Sequence, residues 1–114
     1  MITKKLSEVE IMKNAHGVDA RNLYSTNDAM ITIITLNPGQ ALKRHITPVD
    51  VAFYVLEGKG TVEVGDEKLE VTKDTLIESP KDILHCWYND SDAPLQFMVV
   101  KAPKPTKKTV FVGA

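Results

Sequence analysis

Between Met30 and Lys101 the chain is cut into short apolar or alternating runs by Gly, Pro, Asn and Asp. Runs of that length with a period of two fit strands, and leave no room for amphipathic helices. Met30–Leu36 (MITIITL) is rich in β-branched residues and stops at Asn37-Pro38-Gly39, where the chain must turn. Ala41–Thr47 alternates, and Val51–Leu56 (VAFYVL) is bounded by Glu57-Gly58-Lys59-Gly60. Thr61–Val64 and Lys68–Val71 flank Gly65-Asp66-Glu67, a hairpin in which Gly65 supplies a positive φ. Thr75–Glu78, His85–Tyr88 and Leu95–Lys101 continue the series, and Thr109–Val112 reads as a last edge strand. Tyr24–Asp28 clusters turn formers and reads as a loop at one lip of the fold. Only Lys4–Asn14 has any claim to be helical. An all-β antiparallel sandwich or barrel is therefore predicted.

With 114 residues, 43% hydrophobic and 25% charged, the chain suits one globular domain spanning residues 1–114. Its core is expected at about residues 30–100, with an N-terminal extension and a C-terminal arm. No apolar run approaches the length of a membrane span. The opening MITKKLSEVE lacks the apolar stretch of a secretory signal, which predicts a cytoplasmic protein. Cys86 is the single cysteine, so neither a disulfide nor a Cys-based zinc site can form within one chain. A net charge of −1 with interspersed signs excludes a nucleic-acid footprint. Lys101, Lys104, Lys107 and Lys108, beside Pro103 and Pro105, read as a solvated extended arm.

Two motifs refine this picture. Gly39, His45, Thr47, Val51 and Gly58 have the spacing G-x5-H-x-T-x3-V-x6-G. Pro80, Asp82, His85 and Asn89 follow with the spacing P-x-D-x2-H-x3-N. In order and spacing these resemble the two motifs of the cupin family, small single-domain microbial cupins in particular, over Leu36 to about Val100. Phe53-Tyr54-Val55-Leu56-Glu57-Gly58-Lys59-Gly60 is similar to the family's wording. Asp82 stands where the family has glycine, and Asp74 at or beside another such position. Aspartate tolerates the left-handed backbone such a turn needs. The resemblance implies an antiparallel jelly-roll β-barrel.

It also implies a metal site with four ligands, of which only His45 and His85 remain, facing each other across the cavity. Thr47 replaces a histidine with a neutral hydroxyl, and Val51 replaces the glutamate with no donor. Imidazoles suit zinc, nickel, manganese or iron, yet a catalytic site usually takes three protein ligands. The expected cofactor is thus none, or a weakly bound divalent metal. Asp50 could serve only if a bulge reversed its direction, Cys86 faces away by strand parity, and nothing in the spacing brings His16 near.

Parity along the strands places Ala41, Lys43, His45 and Thr47 on one face, continued by Val51, Phe53 and Val55, with His85 and Trp87 opposite. The candidate ligand-binding residues are therefore His45, Thr47, Val51, Phe53, His85 and Trp87. Lys43 would lie near the rim, within reach of an acidic ligand, although a solvated side chain is the plainer reading. Two function classes fit. One is a cupin binding a small molecule in a two-histidine pocket. The other is a cupin enzyme, either metal-free with His45 or His85 as the base of a sugar isomerase or epimerase, or a metal-dependent oxygenase or isomerase with an incomplete ligand set. An apolar outer row of Ala52, Tyr54 and Leu56 predicts a homodimer.

Overall fold

The computed structural model of the chain describes residues 1–113. Among them the strands are β1 (Asp19–Ser25), β2 (Met30–Leu36), β3 (Ala41–Ile46), β4 (Asp50–Glu57), β5 (Lys59–Val64), β6 (Glu67–Thr72), β7 (Leu76–Ser79), β8 (Leu84–Tyr88), β9 (Leu95–Ala102) and β10 (Val110–Phe111). Two five-stranded sheets result, in the orders β1-β2-β9-β4-β7 and β10-β3-β8-β5-β6. All their pairings are antiparallel. This is the all-β jelly roll predicted from the sequence. Lys4–Asn14, the one segment with any claim to be helical, forms only a 3-10 turn over Leu6–Glu8. The Tyr24–Asp28 loop is also shorter than expected, because β1 runs through Ser25 and the chain reverses over Thr26–Ala29.

Alternation delivers the core. In the first sheet Met30, Lys101 and Val51 form one inward row, Thr32, Val99 and Phe53 the next, and Ile34, Phe97 and Val55 the third. Leu36, Val55, Trp87, Leu95 and Phe97 have no exposed surface, so one end of the barrel is packed solid. The outer row Ala52, Tyr54 and Leu56 stays partly exposed in the single chain. The C-terminal arm returns to pair with β3, Val110 opposite Ile46 and Phe111 opposite His45, which covers what would be an open sheet edge.

Motif residues that do not face the cavity have structural reasons. Asn89 is fully buried and donates to the carbonyls of Leu36 and Ala93 while accepting from Ser91. It thereby ties the end of β8 to the turn after β2. Asp74 and Asp82 adopt φ of 64° and 63°, the left-handed backbone expected of glycine substitutes. At Gly58, φ is 82° and an added Cβ would lie 2.3 Å from the Pro94 carbonyl oxygen, so both backbone conformation and contact demand glycine. Gly58→Ala should therefore cost at least about 2 kcal/mol, the left-handed penalty plus a backbone shift. Urea denaturation should read this as a lower midpoint at unchanged slope.

Candidate functional site

A bulge in β3 builds the site. Register runs from Leu42 opposite Trp87 to His45 opposite His85, so three steps on β3 match two on β8. One residue is extra, and the strand's parity reverses there. Leu42 and His45 both point inward, while Lys43 and Arg44 are exposed. The expectation that Lys43 shares the face of His45 is thus corrected. What Lys43 contributes is its backbone: its carbonyl accepts from His45 Nδ1 at 2.5 Å, and its N–H donates to His16 Nδ1 at 2.9 Å.

That second bond overturns the reading of His16 as remote. Its ring lies edge-on to His45 with centroids 4.9 Å apart, and it lines the same cavity. The segment before β1 is held there by Asn14, which donates to the carbonyls of Met12 and Val18 and accepts from the N–H of His16 and of Val18. No local pattern could reveal the contact, because the partners are 27 residues apart in sequence.

The remaining bonds follow from the Lys43 carbonyl. A carbonyl only accepts, so His45 carries its proton on Nδ1 and presents a lone pair at Nε2. His85 Nε2 lies 2.9 Å away and must donate to it, sharing its proton with Thr47 Oγ1 at 3.1 Å. His85 Nδ1 then accepts from the Ser79 hydroxyl at 2.7 Å. Ser79, 1% exposed, is a member of the site that sequence reasoning missed. Its only signal was its place beside Pro80 at the start of the second motif.

Burial, followed by the positive charges of His45, Lys101 and His16, pushes His85 down to about 3. Burial likewise takes His16 to about 4 and lowers His45 against the raising effect of its bond to Lys43. All three imidazoles are neutral near pH 7.

These rings line a cavity of about 150 Å3 between the sheets. A cavity that size admits a benzene-sized molecule. Val51 and Phe53 face it as predicted, Phe53 edge-on to His85 with centroids 5.2 Å apart. Trp87 does not. It sits deeper, stacked on Phe97 at 4.1 Å, as a core residue. Lys101 lines the cavity from β9 and is partly buried, which corrects its placement in a solvated arm.

Asp50 turns outward and accepts from the N–H of Lys81. Cys86 also faces away, donating with Tyr88 to Glu63 Oε2 at 2.8 and 2.7 Å. Burial and the Glu63 bond push the thiol up to about 11, so it is no ready ligand. Among the described residues no three His, Cys, Asp or Glu side chains come together as a metal-binding group. Two imidazoles bonded to each other and one neutral hydroxyl fall short of the usual three-ligand set, so this donor set does not fit a tightly held divalent ion.

The neutral histidines predict a pH dependence of stability. Unfolded histidines gain protons below their ordinary value of 6.5, whereas the folded ones stay neutral to lower pH, so stability is full above about pH 7 and falls as the solution is acidified. His85 alone should remove about 2 kcal/mol between pH 7 and pH 5. Urea midpoints across that range, with nitrogen-15 spectra of the imidazoles at pH 5.5, test this; a flat midpoint or a protonated His85 would contradict it.

The comparisons agree with the fold. A family profile described as a cupin domain matches residues 32–101. The structure is similar to TT1209 from Thermus thermophilus, at 28% identity and a TM-score of 0.79 over 92% of this chain and 100% of that one. Polyketide cyclase RemF from Streptomyces resistomycificus is 18% identical with a TM-score of 0.86, covering 100% and 87% of the two chains. DMSP lyase DddQ from Ruegeria pomeroyi DSS-3 is 12% identical with a TM-score of 0.80, covering 93% and 62%. No curated protein matches the sequence. With the histidines of both motifs placed on adjacent strands of a jelly roll and the profile matched across most of its strands, the chain belongs to the cupin family.

Proposed function

We propose that this cupin binds a small organic molecule in the cavity between its sheets, without a resident metal ion. The observation that carries the reading is the closed chain of hydrogen bonds from Lys43 through His45 and His85 to Ser79. A general base needs a nitrogen lone pair facing its substrate. Here the lone pair of His45 is taken by His85, that of His85 by Ser79 and that of His16 by the Lys43 N–H. The rings therefore act as walls rather than bases, in a mostly apolar cavity of the kind that holds small ligands. RemF and DddQ carry enzyme names, but at 18% and 12% identity they support the fold alone.

Filling the cavity tests the binding reading. Ala20 is buried and lines it, so Ala20→Leu adds volume where space exists and should leave the fold intact. Saturation-transfer NMR with benzene-sized fragments should detect binders of the natural protein that Ala20→Leu loses. Fragments that bind both proteins equally, or none that bind, would refute the reading.

The absent donors supply a second test. The purified protein should carry substoichiometric zinc, nickel, manganese and iron by elemental analysis. Thr47→His with Val51→Glu should raise divalent-metal affinity by a large factor, since ligand number and type govern such sites. A glutamate at buried Val51 is uncompensated without the ion, so the double variant should be destabilised in chelator and recover on metal addition. Full metal occupancy of the unmodified protein would overturn the metal-free reading.

A further inference from the structure

Among the described residues Lys101 is the one cation lining the cavity, and no Asp or Glu lines it. It enters from β9 in register with Met30 and Val51, in one inward row of the first sheet. Its charge acts on all three imidazoles, yet these are neutral and give it no counter-charge. Among the described residues the only salt bridge joins Arg21 and Asp19, so Lys101 is in none. Withdrawing an ammonium from water without a partner is costly, and the charge is in fact disfavoured by burial. A second donor belongs to a residue lining the same cavity. With Nδ1 of His16 occupied by the Lys43 N–H, the neutral ring carries its proton on Nε2, and no partner for that donor is found among the described residues. Of the other polar side chains at the cavity, Asn14 is engaged by backbone and His45, Thr47 and His85 by one another and Ser79, while Thr32 adds only a neutral hydroxyl.

We propose that the ligand is a small organic carboxylate whose charged end meets Lys101 and the Nε2–H of His16 while its apolar body lies against Val18, Ile34, Phe53 and Val99. This deepens the binding reading above and rests on it. A carboxylate suits both donors, since its two oxygens can accept one bond each and a charge-assisted bond is about twice as strong as a neutral one. The apolar floor limits the rest of the molecule to a short aliphatic chain or a single ring.

Matched pairs of equal shape separate the charge from the pocket: acetate with acetamide, butyrate with butyramide, benzoate with benzamide. Titrations followed by amide NMR at pH 7 should show at least one acid binding about tenfold or more tighter than its amide. Lys101→Met, which keeps length and removes charge, should abolish that preference, weakening the acid far more than the amide. In ligand-free protein the same variant should unfold at an equal or higher temperature, because it removes an unpaired, partly buried charge. Acid and amide binding equally, a preference that survives Lys101→Met, or a fall in unfolding temperature would each overturn the carboxylate inference while leaving the pocket reading intact. Binding by none of the six compounds would overturn both.

Discussion

The extra residue in β3 is the constraint on which the rest of the site depends. A regular strand would turn Lys43 inward with His45 and Leu42 outward, since side chains alternate. The bulge instead seats Leu42 in the core at 3% exposure and frees two backbone groups of Lys43 from the ladder. Those groups hold two histidines, His16 and His45. The same stretch receives the C-terminal arm, where the N–H of Val112 donates to the Arg44 carbonyl at 3.0 Å and Phe111 packs 5.4 Å from His16. One irregularity thus brings an upstream loop and a strand to a single cavity, with the tail packed behind His16.

Polar order at one end of the barrel is balanced by dense packing at the other. Below the histidines, Phe53 meets Trp87 and Phe97 edge-on at 5.4 and 5.9 Å, and Trp87 stacks on Phe97. Such aromatic contacts fix side-chain positions beyond what area burial achieves. Phe53 belongs to both regions, touching His85 above and Trp87 below, so the floor of the cavity is continuous with the core. Low polarity there explains why the imidazoles remain neutral and why an unpaired Lys101 is conspicuous.

Val51 and Thr47 follow from the same logic. Both are buried, at 4% and 2% exposure, where a carboxylate without an ion would be costly. Valine packs in place of that charge, and the threonine hydroxyl finds a use beside His85. The family's frame is thereby kept with the ligand set reduced to a hydrogen-bonded pair.

The strands from Met30 to Lys101, the hairpin at Gly65, the left-handed aspartates and the inward aim of His45 and His85 were legible in the sequence. The expectation that the two histidines face each other across the cavity is corrected, since they sit side by side on adjacent strands β3 and β8. The legible features rest on local information: a period of two, a turn residue, or a spacing that survives translation into strand register. The bulge left no such mark, because one extra residue among alternating ones changes neither composition nor turn signals. Parity reasoning therefore placed Lys43 on the wrong face, and placed Trp87 correctly inward but could not tell core from cavity. His16, Ser79 and Lys101 were decided only by the tertiary structure. His16 reaches the cavity through a backbone bond across 27 residues, and Lys101 through its register with Val51 and Met30. Contacts of that kind depend on how two sheets close on each other, and hydrophobic alternation says which face a residue takes but not which residues from distant strands it will meet there.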